Sequence, residues 1–99
     1  HIVSNNTLFG TRWHEFPDTG DIPLVADMTS EFMSRKIDIS KFGIVFAGLQ
    51  KNLGPAGLAV VIIREDLLKH ALPETPHLLN YQTYAKEHSL ANTNNTVAI

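Results

Sequence analysis

The sequence predicts an α/β fold built mostly of strands, and two observations carry that expectation. Gly43-Ile44-Val45-Phe46-Ala47 and Leu58-Ala59-Val60-Val61-Ile62-Ile63 are continuous apolar runs. Runs of that kind mark strands covered on both faces, whereas a strand with one wet face alternates apolar and polar residues. Helical patterning is short wherever it occurs, so the helices that would cover such a sheet are expected outside these 99 residues. The segment by itself is expected to fold poorly, because its apolar surface must offset roughly 1 to 2 kcal/mol of backbone entropy per residue.

Taken in order, His1 to Asn5 reads as a strand entering a loop at Thr7 to Gly10, and Thr11 to Asp21, with Pro17 and Gly20, reads as loop. Leu24-Val25-Ala26 is a second short strand, and Met28 to Ser34 has room for one helical turn. Ile37, Ile39 and Phe42 alternate with polar neighbours and lead into the strand at Gly43 to Ala47. Gly48 to Gly57, with three glycines and Pro55, breaks regular structure. The β-branched residues from Val60 to Ile63 then form the clearest strand. Arg64-Glu65-Asp66 opens a short helix through Ala71, with Asp66 as its N-cap candidate and Lys69 and His70 in the last turn. Asn80 to Asn95 reads as polar and irregular, and Thr96 onward as the start of a helix.

Composition narrows the function classes. A net charge of −2, with basic residues scattered, leaves no electrostatic footprint for nucleic acid or an anionic membrane surface. With no cysteine there is no disulfide scaffold, thiolate metal site or cysteine nucleophile, and the five histidines lack metal-ligand spacing. A cytoplasmic setting is the default expectation, and Gly57 to Ile63 is too short to span a bilayer.

The chemistry concentrates in Ala47-Gly48-Leu49-Gln50-Lys51-Asn52-Leu53-Gly54-Pro55-Ala56-Gly57. One lysine follows an apolar strand and precedes a glycine-rich turn, which puts its amine at a strand end, where open α/β sheets hold ligands. Partial desolvation there would favour a neutral amine able to form a Schiff base. From the pattern alone the commoner reading is a solvated loop lysine beside turn glycines. A phosphate-binding loop is a further alternative, although the lysine precedes most of the glycines, the reverse of the P-loop order.

The same stretch, with the strand after it and Arg64-Glu65-Asp66-Leu67-Leu68, resembles the cofactor-lysine region of the phosphoserine aminotransferases. These are pyridoxal 5′-phosphate (PLP) enzymes of fold type I in the class V aminotransferase group. Val25-Ala26-Asp27-Met28-Thr29-Ser30, Ser34-Arg35 with Ile37-Asp38, and Asn92-Thr93 with Thr96 resemble further family motifs in the family's order. The resemblance implies that residues 1–99 are one segment of the PLP-binding large domain, a mixed sheet of aspartate aminotransferase type, with the N-terminal part and the small C-terminal domain absent.

The resemblance also implies roles. Lys51 binds PLP covalently and then moves a proton between the substrate Cα and the cofactor C4′. Asp27 pairs with the pyridine nitrogen, Gln50 contacts the cofactor phosphate and Thr7 lines the pocket. Asn92 and Thr93 reach the PLP phosphate of a neighbouring subunit, implying a homodimer with shared active sites. The implied substrates are O-phospho-L-serine, glutamate and 2-oxo acids, in serine and pyridoxine biosynthesis. Taken singly, Asp27 is more often a turn cap, and Gln50, Thr7, Asn92 and Thr93 more often turn or surface residues.

Gln50 directly before the lysine separates this sequence from the cysteine desulfurases, which usually carry His there. Lys36 in place of Pro, Asn6 in place of Glu, and Asn94-Asn95 in place of Pro-Pro depart from the family pattern. Trp13 reads as a packing or interface residue and Arg35 as a structural ion-pair partner. The stacking aromatic and the substrate-phosphate arginines of the family fall outside the segment. Two rival readings stand beside this one: another class V PLP enzyme, and a non-enzymatic interaction fragment.

Overall fold

Side chains branched at Cβ crowd a helical turn but fit a pleated strand, and both apolar runs are strands in the computed structural model, which describes residues 1–99. The strands are β1 (Ile2–Val3), β2 (Asn5–Asn6), β3 (Thr11–Arg12), β4 (Val25–Asp27), β5 (Ile44–Gly48) and β6 (Ala59–Ile63). One sheet has the order β1-β4-β5-β6, in which β1, β4 and β5 are parallel and β6 is antiparallel at the edge. The result is the strand-rich mixed sheet with little helix that the sequence implies.

Register explains where the core sits. Ile2, Ala26, Val45 and Ile62 pair across all four strands and share one face of the sheet. Leu24, Met28 and Phe42 join Ala26 and Val45 in the buried core there, with Phe16, Phe32, Ile37 and Ile39 packed around them. Phe16 meets Phe42 edge to face, with ring centroids 4.9 Å apart, the arrangement favoured by ring quadrupoles.

The opposite face carries the row Val3, Asp27, Phe46 and Val61, and this face is open. Val61 is 38% exposed, and even Ile62, on the core side but in the edge strand, is 36% exposed. Burial on both faces therefore does not hold for β6. Its apolar run records what the strand is suited to pack against; Leu78, Leu79, Tyr81, Tyr84 and Ala85 face it only across a cavity.

Other elements depart from expectation for local reasons. Asn5–Asn6, at the end of the stretch read as strand, and Thr11–Arg12, read as loop, form an antiparallel hairpin. Two-residue strands are too short to show a period, and Gly10, at φ +64°, closes the turn by donating to Asn6 O at 2.9 Å. α1 (Tyr81–Lys86) lies in the stretch read as irregular, capped by Asn80 Oδ1 accepting from Gln82 N at 2.9 Å.

Residues Glu65–Lys69 form a 3-10 helix whose N-cap is Arg64, so the capping role expected of Asp66 is not realised. Its carboxylate is held in a two-pronged pair by Arg64 Nε at 2.6 Å and Nη2 at 2.9 Å instead. After Thr96 there is a turn, with Ala98 N donating to Asn95 O, and no helix. The single turn after β4 forms as expected, Phe32 N donating to Met28 O at 2.7 Å.

Candidate functional site

Three parallel strands end on the same edge of the sheet, and each delivers a predicted residue. Thr7 stands in the turn after β1 and β2, Asp27 is the last residue of β4, and Lys51 follows the end of β5. The carboxyl ends of parallel strands are where open α/β sheets place ligands, because the chain must leave the sheet there and its loops diverge.

Lys51 Nζ donates to Thr7 Oγ1 at 2.7 Å. Both residues are exposed, so the desolvation expected around the lysine is not provided by these 99 residues. The lysine makes no ion pair; the two in the chain are Arg35–Glu31 and Arg64–Asp66. Its backbone is held on both sides. Leu49 is buried and its N–H donates to Leu58 O at 3.0 Å, Gly54 N closes the turn on Leu49 O at 2.8 Å, and Asn52 Nδ2 reaches Phe32 O at 2.8 Å.

Asp27 lies on the open face of the sheet, half-buried. Its Oδ1 accepts from Thr29 N at 2.9 Å and from Thr29 Oγ1 at 2.6 Å, which orients the carboxylate and leaves Oδ2 without a partner in the chain. Ser4 N donates to Asp27 O at 2.9 Å, and Ser30 Oγ to Asn5 O at 2.9 Å, so the end of β4 is tied to the hairpin that carries Thr7.

Gln50 folds back over the strand end. A methyl group built at Gly48 would meet its carboxamide, with Nε2 at 2.7 Å and Cδ at 2.9 Å. Glycine at 48 is therefore the condition for Gln50 to lie there.

The structure brings Thr7 and Lys51 into contact, ends β4 and β5 side by side, and folds Gln50 over the end of β5. Asn92 and Thr93 are not joined to that group. Both are exposed, and Asn92 Nδ2 makes only a 3.3 Å bond to Thr93 O. Two residues on, Asn95 packs its side chain against Gly57, where an added methyl would lie 3.3 Å from Asn95 Cγ. The tail thus sits beside the glycine turn that follows Lys51.

Arg35 is the structural ion-pair partner expected. Its Nε donates to Glu31 Oε1 at 2.7 Å, while Nη2 and Nη1 donate to Trp13 O and His14 O at 2.7 and 3.3 Å. Sequence reasoning missed Thr29. The available signal was a threonine two positions after an aspartate at a strand end, the spacing at which a carboxylate takes bonds from the following turn.

No helix is long and apolar enough to cross a membrane. Comparison with known proteins adds the following. The phosphoserine aminotransferase of Lysinibacillus sphaericus is 57% identical over the whole chain. A phosphoserine aminotransferase studied for radiation damage of its Schiff base superposes on 99% of the chain with TM-score 0.93 at 46% identity, which is 27% of that structure. PLP-bound phosphoserine aminotransferase from Trichomonas vaginalis matches 96% of the chain, 26% of its own length, with TM-score 0.87 at 40% identity. The chain spans about 27% of the length of the curated relatives it matches. The model of the class-V aminotransferases matches residues 1–99, and with a sheet that superposes on solved relatives and the lysine turn at its strand ends, the chain belongs to the class-V aminotransferase family.

Proposed function

We propose that residues 1–99 are a PLP-holding segment of a phosphoserine aminotransferase, one part of a large domain that the rest of a longer polypeptide completes. One observation carries this reading. An exposed amine free of ion pairs and a carboxylate with one unengaged oxygen stand at the ends of neighbouring parallel strands in a class-V chain.

That donor set suits the cofactor. A primary amine is what an aldehyde carbon requires, and a carboxylate held by a neighbouring hydroxyl is what a protonated pyridine nitrogen requires. Its relatives include a PLP-bound phosphoserine aminotransferase. When bound, the cofactor supplies an electron sink for the pair left at the substrate Cα.

The chain's own residues supply the rest. Lys51 would hold the cofactor covalently, and its freed amine would carry a proton between the substrate Cα and the cofactor C4′. Thr7 orients that amine through its hydroxyl. Asp27 keeps a proton on the pyridine nitrogen, because a carboxylate beside it favours the charged form. The Gln50 carboxamide donates to the phosphate.

Asn92 and Thr93 stand apart from this group within the chain, which agrees with service to a second subunit's phosphate and with a homodimer whose active sites are shared. The reaction is transfer of the amino group of O-phospho-L-serine to 2-oxoglutarate and its reverse from glutamate. It belongs to serine biosynthesis, with pyridoxine biosynthesis as a second pathway. Gln50 before the lysine favours this branch over desulfurases.

In the complete enzyme, Lys51→Ala is expected to abolish both borohydride-trappable cofactor and transamination of phosphoserine. Retention of both by the variant would refute the reading. Activity with alanine or cysteine in place of phosphoserine would assign the protein to another branch of the class.

A further inference from the structure

We infer that Thr29 is a positioning residue: its hydroxyl joins the Asp27 carboxylate to the Gly48 N–H, so the group at the ring-nitrogen position and the strand end presenting Gln50 and Lys51 are held as one unit. The inference rests on the PLP reading above.

The reason lies in an interrupted ladder. Along the parallel pair β4 and β5, Ile44 N donates to Leu24 O at 3.3 Å and Met28 N to Phe46 O at 2.8 Å. Continued at the same stagger, the next rung would run from Gly48 N to Met28 O. That carbonyl is already taken, because the chain turns at Met28 and its oxygen accepts from Glu31 N at 2.9 Å and Phe32 N at 2.7 Å. Gly48 N–H would then lack a partner, which a half-buried donor does not tolerate cheaply.

Thr29 Oγ1 stands in for the lost carbonyl and accepts from Gly48 N at 3.1 Å. Its own proton goes to Asp27 Oδ1 at 2.6 Å, and its backbone N–H goes to the same oxygen at 2.9 Å. A hydroxyl can donate one bond while accepting another, so Thr29 Oγ1 serves Asp27 and Gly48 at once. Two amide-type donors could not replace it, because the position needs an acceptor toward Gly48 and a donor toward Asp27 at once. The remaining oxygen of Asp27 stays available and its direction is set by the engaged one.

The test uses the complete holoenzyme and four variants. Thr29→Val keeps the shape and removes the hydroxyl; Thr29→Ser restores it; Asp27→Ala and the double variant Asp27→Ala/Thr29→Val complete a cycle. The probe is PLP itself, read by its dissociation constant and by the pH dependence of the bound cofactor's absorbance. Thr29→Val is expected to weaken PLP binding roughly tenfold, as loss of a hydrogen bond to a charged acceptor does, and to displace the absorbance titration. Thr29→Ser should stay near the parent on both readouts, and Thr29→Val should cost less once Asp27 is alanine, because only the bond from Gly48 N–H is then lost.

An equal loss with and without Asp27, or an unchanged titration in Thr29→Val, overturns the inference while leaving the PLP reading intact. Failure of the parent itself to bind PLP at Lys51 overturns both, which keeps the two failures apart.

Discussion

Lys51 Nζ and Thr7 Oγ1 lie 2.7 Å apart although 44 positions separate them in the chain. The bond joins the turn after β5 to the hairpin after β1, so the strand ends on either side of β4 are tied across the Asp27 position. The hydroxyl aims the amine without neutralising it, as a carboxylate in the same place would.

Thr7→Val therefore separates site from scaffold. Both partners are exposed, and the change in unfolding free energy is expected to stay within about 0.5 kcal/mol. The rate of covalent PLP capture at Lys51, followed by absorbance in the complete enzyme, should fall severalfold. An unchanged rate would mean that the bond is incidental.

Glu31 and Arg35 are expected to respond unequally. Glu31 is 1% exposed and Arg35 27%, and Glu31 Oε2 already lacks a partner. Arg35→Met strands a buried carboxylate and releases the carbonyls of Trp13 and His14. It should destabilise by about 3 kcal/mol, since breaking a buried pair from one side leaves the other charge uncompensated. Glu31→Gln keeps a polar partner for Arg35 and should cost less than half of that, about 1 kcal/mol. Denaturant unfolding of both variants checks the order, and a larger loss for Glu31→Gln would contradict it.

Two glycine substitutions should act on different properties. At Gly43 an added methyl meets Pro23 Cβ at 2.6 Å and Leu67 Cδ1 at 2.9 Å in a buried position, so Gly43→Ala overpacks the core and should cost about 1 to 3 kcal/mol. At Gly48 the methyl meets only the flexible Gln50 carboxamide. Gly48→Ala should fold with a smaller loss and weaken PLP binding by displacing Gln50. Measuring the unfolding midpoint and the PLP dissociation constant on each variant tests the contrast.

Acid stability should carry the mark of two aspartates. The Asp66 carboxyl is held below its ordinary 3.8 by its bonds from Arg64, and Asp38 is lowered by side-chain and backbone bonds from Ser40. Between the ordinary value and the lowered ones, the unfolded chain binds more protons. These carboxylates thus contribute stability above pH 3.8 that is lost as pH falls through their folded values. Asp38→Asn and Asp66→Asn should each flatten the stability profile below pH 3.8 and leave its slope at neutral pH unchanged. Titration of the two carboxyl groups by NMR, with neither lowered, would remove the basis for this.

Much of the fold, and the family, was legible in the sequence. Apolar runs identify strands because a strand's environment is written in consecutive residues, and the turn around Lys51 identifies a family because its side chains and glycines are all local. The strands at 44–48 and 59–63, the turn after Asp27 and the ion-pairing role of Arg35 follow from such local pattern. The hairpin strands at 5–6 and 11–12 and the six-residue helix at 81–86 do not, since each spans fewer than two repeats of its own period, too few for a pattern to show.

Sequence alone determined the strand-forming runs and placed a lysine and an aspartate at or just after the ends of two of the strands. Only the tertiary structure decided that Asp27 sits on the open face, that Thr7 is the neighbour of Lys51, and that Thr29 completes the ladder at Gly48. Those relations depend on register and on which carbonyls the turns consume, and both are settled between segments distant in the chain.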